Sequence, residues 1–531
     1  MPTKTQKYIF LGVIILVASL FLIDRYYWAQ ISQWREDQAT NLWLGYTRDV
    51  NNIPVGLISS RKIPNPNGMP LLGVMLSSLP NLLAISFLLG TTQIVLIVLV
   101  GWYAFRERLW YFLLATFPSL SSVTLRSTSV EFWNQYTIIL LNILFIFLAI
   151  RYLENGSLWN LLPIAILILF APSLYLAGIV NAIVMALLTL GILIYKRPRF
   201  DHVWAVSTII LLLVSLSIFL TWRPYFQNVS LEQIVKNSQL RSDPTGSPPL
   251  AFKHADLRIL SGLPQTFLKA AEKVYLLQVV FASISFFYLY FKAWFKPLSS
   301  KSSPFHSNAS IVQIVILSGS FIILSYAFAT WLGGADWLSN QRSDQTVQFL
   351  PLFLFFIFLL PFSVIRNGTE RIMDVFSKIL FFIFVTVNLV GGFLIIRDHL
   401  QYRGDILTEA DVSLVDKMQV VEFIAQDWKN QSDSNIVPVD YDLGGGKWDW
   451  VPEFGEKLTE WYRAPMTSGR SFDYELLRRY ALTNQQEGTQ FRTFGSGRYL
   501  VTYAFEDPPV VEQGQITHLI FGRLRVSVIE K

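Results

Sequence analysis

Apolar residues run along most of this chain in long stretches, and polar residues interrupt them at intervals. A helix needs about 20 apolar residues to cross a bilayer core of roughly 30 Å. Eleven stretches come near that length, at residues 8–24, 81–104, 109–125, 133–150, 158–171, 175–195, 203–222, 274–291, 311–332, 345–364 and 376–396. They predict an α-helical polytopic membrane protein with about 11 transmembrane helices over residues 1–396. Residues 25–69 and 223–273 break the pattern and predict two long loops. From residue 397 the periodicity changes. Val412, Leu414, Val415, Met418, Val421, Phe423 and Ile424 recur at helical spacing as far as Trp428, and β-rich pieces follow at Ile436–Val439, Tyr499–Ala504 and Leu519–Ile529. A soluble α/β domain is therefore predicted for 397–531.

Composition agrees with the pattern. Of the 531 residues, 52% are apolar and 15% charged, against about 25% charged in a soluble domain. The mean hydropathy is +0.42, which excludes a water-soluble enzyme and a disordered chain. Without cysteine there is no disulfide, thiol nucleophile or thiolate metal site. Residues 397–531 carry 15 Lys and Arg against 21 Asp and Glu, whereas residues 1–396 carry 28 against 16. The net charge of +6 thus joins a basic membrane part to an acidic tail, and it predicts no nucleic-acid partner.

Short cytoplasmic loops are enriched in Lys and Arg. Lys4 and Lys7 precede the first stretch, and alternate loops carry Arg106 with Arg108, Arg151, Lys196 with Arg197 and Arg199, Lys292 with Lys296, and Arg366 with Arg371. The intervening short turns hold only Arg126 and Arg342. This alternation places the N-terminus inside, the loops 25–69 and 223–273 outside, and the tail from 397 extracytoplasmic.

Ionisable groups near a membrane are costly, so those at the outer ends of spans mark candidate chemistry. They are few: Glu36 and Asp37, followed by the helical pattern Leu42, Trp43 and Tyr46; Arg61 and Lys62; Arg126 and Glu131; His254 in the second long loop; and Arg342 with Asp336 and Asp344 in its turn. A carboxylate partly removed from water has its pKa raised toward working pH, which suits a general base. Arginine suits phosphate through its paired, charge-assisted hydrogen bonds. Each residue also has a plain structural use. Acids favour helix N-termini, and basic residues anchor to the interface.

The order of these features resembles the multi-spanning glycosyltransferases that use polyprenyl-phosphate sugars, the GT-C class that includes protein O-mannosyltransferases and lipid A aminoarabinose transferases. Glu36-Asp37 is similar to the acidic pair that opens that family's first external loop, in the order Glu-Asp where Asp-Glu is usual. Asn65-Pro66-Asn67-Gly68-Met69-Pro70-Leu71-Leu72 resembles the proline-containing approach to the next helices, and Glu131 falls where a second acidic residue is common. Val347-Gln348-Phe349-Leu350-Pro351-Leu352 looks like the late Arg-Tyr-Leu-Leu-Pro segment with Val347 at the arginine position; Arg342 lies five residues earlier.

The resemblance implies a GT-C-like enzyme of a bacterial inner membrane. It would transfer a sugar from a polyprenyl-phosphate donor to a lipid, glycan or protein acceptor. In that reading Asp37 is the first candidate base with Glu36 beside it, and Glu131 orients the acceptor or holds a divalent metal. Arg126, Arg342, Arg61 and Lys62 are phosphate candidates, and His254 an acceptor contact. The cofactor stays open. A transporter or flippase of a lipid-linked or polar solute, and a non-catalytic membrane assembly protein, are the alternatives.

Overall fold

The computed structural model describes residues 4–32, 34, 36–47, 55–56, 64–105, 109–176, 178–196, 200–232, 288–291, 315–325, 327–328, 354, 370–401, 412–443, 470–484, 498–506, 508 and 515–530. The chain is mostly helical. Six described helices are long and apolar enough to cross a membrane: Tyr8–Gln30, Leu82–Ala104, Tyr136–Asn155, Gly178–Lys196, Thr208–Asn228 and Lys378–Leu400. Leu109–Ser121, Leu161–Leu174 and Val315–Ser325 are shorter apolar helices. They correspond to three of the eleven predicted spans, while those at 274–291 and 345–364 fall largely outside the described residues.

In chain order the helices are α1 (Lys4–Gln30), α2 (Glu36–Thr47), α3 (Gly68–Leu76), α4 (Leu82–Ala104), α5 (Leu109–Ser121), α6 (Val123–Ser129), α7 (Asn134–Asn155), α8 (Leu161–Leu174), α9 (Gly178–Lys196), α10 (Phe200–Ser217) and α11 (Arg223–Asn228). After them come α12 (Glu370–Leu400), α13 (Leu414–Gln431) and α14 (Arg470–Tyr480). The middle of the bundle is α7, whose apolar window is 72% buried. By contrast α1 keeps Ile9, Leu16 and Leu20 exposed, and α10 does the same with Leu211 and Leu212. Apolar faces of that length suit contact with lipid.

Three departures from the predicted elements have identifiable causes. First, α1 continues six residues past the predicted end at residue 24, because Asp24 and Arg25 find partners inside the fold. Second, the single span predicted over 109–125 is broken. Pro118 lies inside α5, and Ser122 leaves helical geometry to cap α6, accepting from Leu125 N at 3.5 Å.

Third, the helix that begins as α10 runs on into the predicted loop 223–273. It passes through a π-helical turn at Ile218–Trp222, where Arg223 N–H bonds to Ile218 O, and becomes α11. Pro224 has no N–H to give Leu220 O, four residues back. Asn67 Nδ2 donates to that carbonyl instead, at 3.0 Å. The segment Asn65–Pro70 is thereby built into the bundle. Asn65 Oδ1 accepts from Leu176 N at 3.3 Å, Tyr225 Oη donates to Pro64 O at 2.9 Å, and Gly45 of α2 lies so close to Pro70 O that no side chain fits there.

The tail has its own apolar core, including Val420, Ile424, Phe472, Leu476, Val501 and Val526. Its strands are β1 (Ile436–Val437), β2 (Val439–Asp442), β3 (Thr483–Asn484), β4 (Tyr499–Tyr503), β5 (Gln515–Phe521) and β6 (Leu524–Glu530). Strands β1 and β3 pair in parallel. The larger sheet has the order β2-β4-β6-β5, with β2 and β4 parallel and the other pairs antiparallel. The piece predicted as one strand at Leu519–Ile529 is a hairpin that turns at Gly522, whose φ is +57°. Only glycine adopts that conformation without strain, and a Cβ there would also collide with the Asp416 carboxylate.

Replacing Asn67 by Ala strands the Leu220 carbonyl in an apolar setting. It should lower stability by about 1–3 kcal/mol, read as a lower thermal midpoint of the purified protein.

Candidate functional site

The break between α5 and α6 leaves backbone groups without helical partners. Three side chains meet them. Arg25 Nη2 donates to Leu120 O at 3.2 Å, Ser122 caps α6, and Asn388 Oδ1 of α12 accepts from Val123 N at 3.2 Å. Arg126, on α6, donates from Nη1 to Asn388 O at 3.0 Å.

Both arginines are buried, at 0% exposure for Arg25 and 2% for Arg126, and a buried cation needs a counter-charge. Asp24 supplies it. One oxygen accepts from Arg25 Nη1 and from Arg126 Nε, each at 2.8 Å, while Arg126 Nη2 donates to the other. The Arg126 guanidinium also lies over the Trp28 ring, 5.2 Å from its centroid. A side chain at Gly392 would occupy the guanidinium's place.

Trp28 carries this network into a small pocket, lined also by Ser32, Ser127, Val130, Glu131 and His399. Here the ends of α1 and α12 meet the α6–α7 connection. Glu131 is half-buried, and Gln38 Nε2 donates to its Oε2 at 3.4 Å. Gln38 lies in the first turn of α2, directly after Glu36 and Asp37. Trp34 closes the corner: its ring stacks on Phe132 with centroids 6.3 Å apart, and its Nε1 donates to Ser86 Oγ at 2.8 Å. Ser86 Oγ is also 3.2 Å from Ser32 Oγ.

The candidates from sequence are thus placed as follows. Glu36 and Asp37 open α2, though their side chains are outside the described residues. Glu131 shares a hydrogen bond with the same turn. Arg126 faces Asp24, Asn388 and Trp28, so in this arrangement its guanidinium is directed at protein groups rather than at an open surface. Arg61, Lys62, His254 and Arg342 lie outside the described residues, as does the segment Val347–Leu352. Among the described residues no group of three or more His, Cys, Asp or Glu side chains is arranged to hold a metal ion.

Sequence reasoning missed Asp24, Arg25, Asn388 and His399. The adjacent opposite charges of Asp24-Arg25 coincide with the predicted end of the first span, although ionisable residues inside spans commonly pair with one another. Nothing local marks Asn388 or His399, whose roles depend on which helices α12 meets.

The arrangement offers a carboxylate, an imidazole and two hydroxyls beside an indole face. That combination can orient a hydroxyl or amine and move its proton. Compared with models of protein families and with curated proteins, the chain matches none.

Asp24→Asn removes the counter-charge from two buried arginines. It should cost about 3–5 kcal/mol, measured by thermal or denaturant unfolding in detergent. Adding Arg126→Met should restore a good part of the loss, because one unpaired charge goes with it.

Proposed function

We propose that the protein is an integral-membrane glycosyltransferase. It moves a sugar from a polyprenyl-phosphate donor to a lipid, glycan or protein acceptor at the outer face of a bacterial inner membrane, with about eleven spans and an extracytoplasmic tail. One observation carries the reading: Gln38, next to the Glu36-Asp37 pair, hydrogen-bonds Glu131, 93 residues further along the chain, at 3.4 Å, so the acidic pair and Glu131 come to one corner. The built-in Asn65–Pro70 segment, packed against α2, adds to it.

In the proposed chemistry Asp37 or Glu36 takes the proton from the acceptor hydroxyl or amine as that group attacks the anomeric carbon. The bond from that carbon to the phosphate oxygen breaks, and polyprenyl phosphate leaves with the bonding pair. Attack opposite the leaving group inverts the anomeric centre. Glu131 orients the acceptor. Arg342, Arg61 and Lys62 are the proposed holders of the departing phosphate, and His254 contacts the acceptor. Arg126 contributes indirectly by holding Trp28 against the pocket.

A second reading, movement of a lipid-linked solute without chemistry, is favoured by one feature. Asp24 and Arg25 lie within the span-length helix Tyr8–Gln30, and ionisable residues at such depth often belong to transport pathways. Their mutual pairing also serves as an internal strut.

Purified protein given a radiolabelled polyprenyl-phosphate sugar and a lipid acceptor pool should form labelled product. Asp37→Asn or Glu36→Gln should lower the rate about 100-fold or more, and Glu131→Gln less. Full activity in both variants of the pair removes the base assignment. Solute accumulation in proteoliposomes with no chemical change favours the second reading.

A further inference from the structure

The acidic tail touches the membrane part through two buried ionisable side chains, both directed at backbone. Lys417 of α13 is 2% exposed and donates from Nζ to Trp34 O at 2.7 Å. Glu475 of α14 is 1% exposed, and its Oε1 accepts from Leu82 N at 2.7 Å. Leu82 is the first residue of α4, where helix N–H groups lack internal partners and the macrodipole is positive. Asn81 Oδ1 takes the Ala84 N–H of the same turn at 2.8 Å.

Apolar contact surrounds these bonds. Leu414 and Tyr474 belong to the same continuous core as α4 and α7, with Met418 and Leu477 packed on its edge. The Tyr474 ring meets Tyr46 of α2 edge-on at 6.1 Å. The grip falls at both ends of the acidic segment: Trp34 lies just before Glu36, and Tyr46 closes α2.

We infer that the C-terminal domain is the positioning element for the segment 34–47, that Lys417 and Glu475 are the residues through which it acts, and that this latch loosens as pH rises. The positioning holds whichever reaction the segment serves.

The charged and titratable groups around Glu475 are Arg478, Arg479 and Tyr480 on its own helix and Tyr474 beside it, with Tyr46 of α2 against the Tyr474 ring. The first turn of α4 contributes only backbone. Arg479 Nε is 3.9 Å from Glu475 Oε2. Burial pushes the Glu475 carboxyl from 4.5 up to about 7, against the lowering influence of the Leu82 N–H, Arg479 and Arg478. Between those values the docked domain holds a proton that a released one gives up. Docking is therefore strongest below pH 4.5, weakens by up to tenfold per pH unit as pH rises toward 7, and levels off above.

Hydrogen exchange of the full-length protein in nanodiscs tests this, with peptides covering 34–47 and 82–90 followed at pH 5 and pH 7.5 and corrected for intrinsic exchange. Protection in both peptides should fall by about a hundredfold between the two conditions. In Glu475→Gln, which keeps the shape and stays neutral, protection should be equal at both. Lys417→Met should speed exchange of 34–47 at both pH values while leaving their ratio as in the parent. Equal protection in the parent protein at the two pH values overturns the inference. So does a pH dependence that persists in Glu475→Gln, or a Lys417→Met protein whose 34–47 peptide exchanges as the parent does.

Discussion

A single carboxylate, Asp24, stands between two buried arginines, and much of the membrane part is arranged by what that requires. The α5–α6 break exposes backbone groups in surroundings that offer no water, where an unmet carbonyl or amide costs several kcal/mol. Arg25 and Asn388 satisfy them. Using arginine for the purpose brings charge into the interior, and charge there calls for Asp24. Arg126, drawn to the same carboxylate, then needs room against α12, and Gly392 leaves it. Helices α1, α5, α6 and α12 are thus fixed relative to one another by one ionic cluster, and α1 remains helical through its polar end because of it.

The candidate site inherits its geometry from that cluster. Trp28, one turn beyond Asp24 on α1, carries the Arg126 guanidinium on its ring and lines the pocket with Glu131 and His399. Through Gln38 and Trp34 the pocket continues into α2, and through Trp34 and Leu82 it reaches the tail. Apolar packing brings the helices together. The polar bonds, each aimed at a particular group, set the helix register and rotation that a greasy interface by itself leaves loosely defined.

Much of the helical layout was legible because hydrophobic run length depends only on local composition. The α13 pattern was equally local, and Leu414–Gln431 encloses nearly all of its predicted apolar positions. Where the reading failed, the deciding contact was distant. The end of α1 looked like a loop because Asp24 and Arg25 are polar, and their partners lie some hundred residues away at Leu120 and Arg126. The helix through Pro224 looked finished near Trp222 because the amide that receives the freed carbonyl belongs to Asn67. The hairpin at Gly522 was a different kind of miss: its glycine was visible, and the apolar alternation on both sides hid the turn. Of the candidate site, the acidic segment and Glu131 could be named from sequence. Their shared corner could not, since it depends on a hydrogen bond from Gln38.

The two bonds from the tail join residues 383 and 393 positions apart. A protein is made from its N-terminus onward, so α1, α2 and α4 are complete long before Lys417 and Glu475 exist. During that interval the Trp34 carbonyl and the Leu82 amide have to be served by water or by other groups of the nascent chain. The acidic segment can take its final form only near the end of synthesis. A truncated product that inserts normally would still lack the two bonds that the tail makes to Trp34 and Leu82.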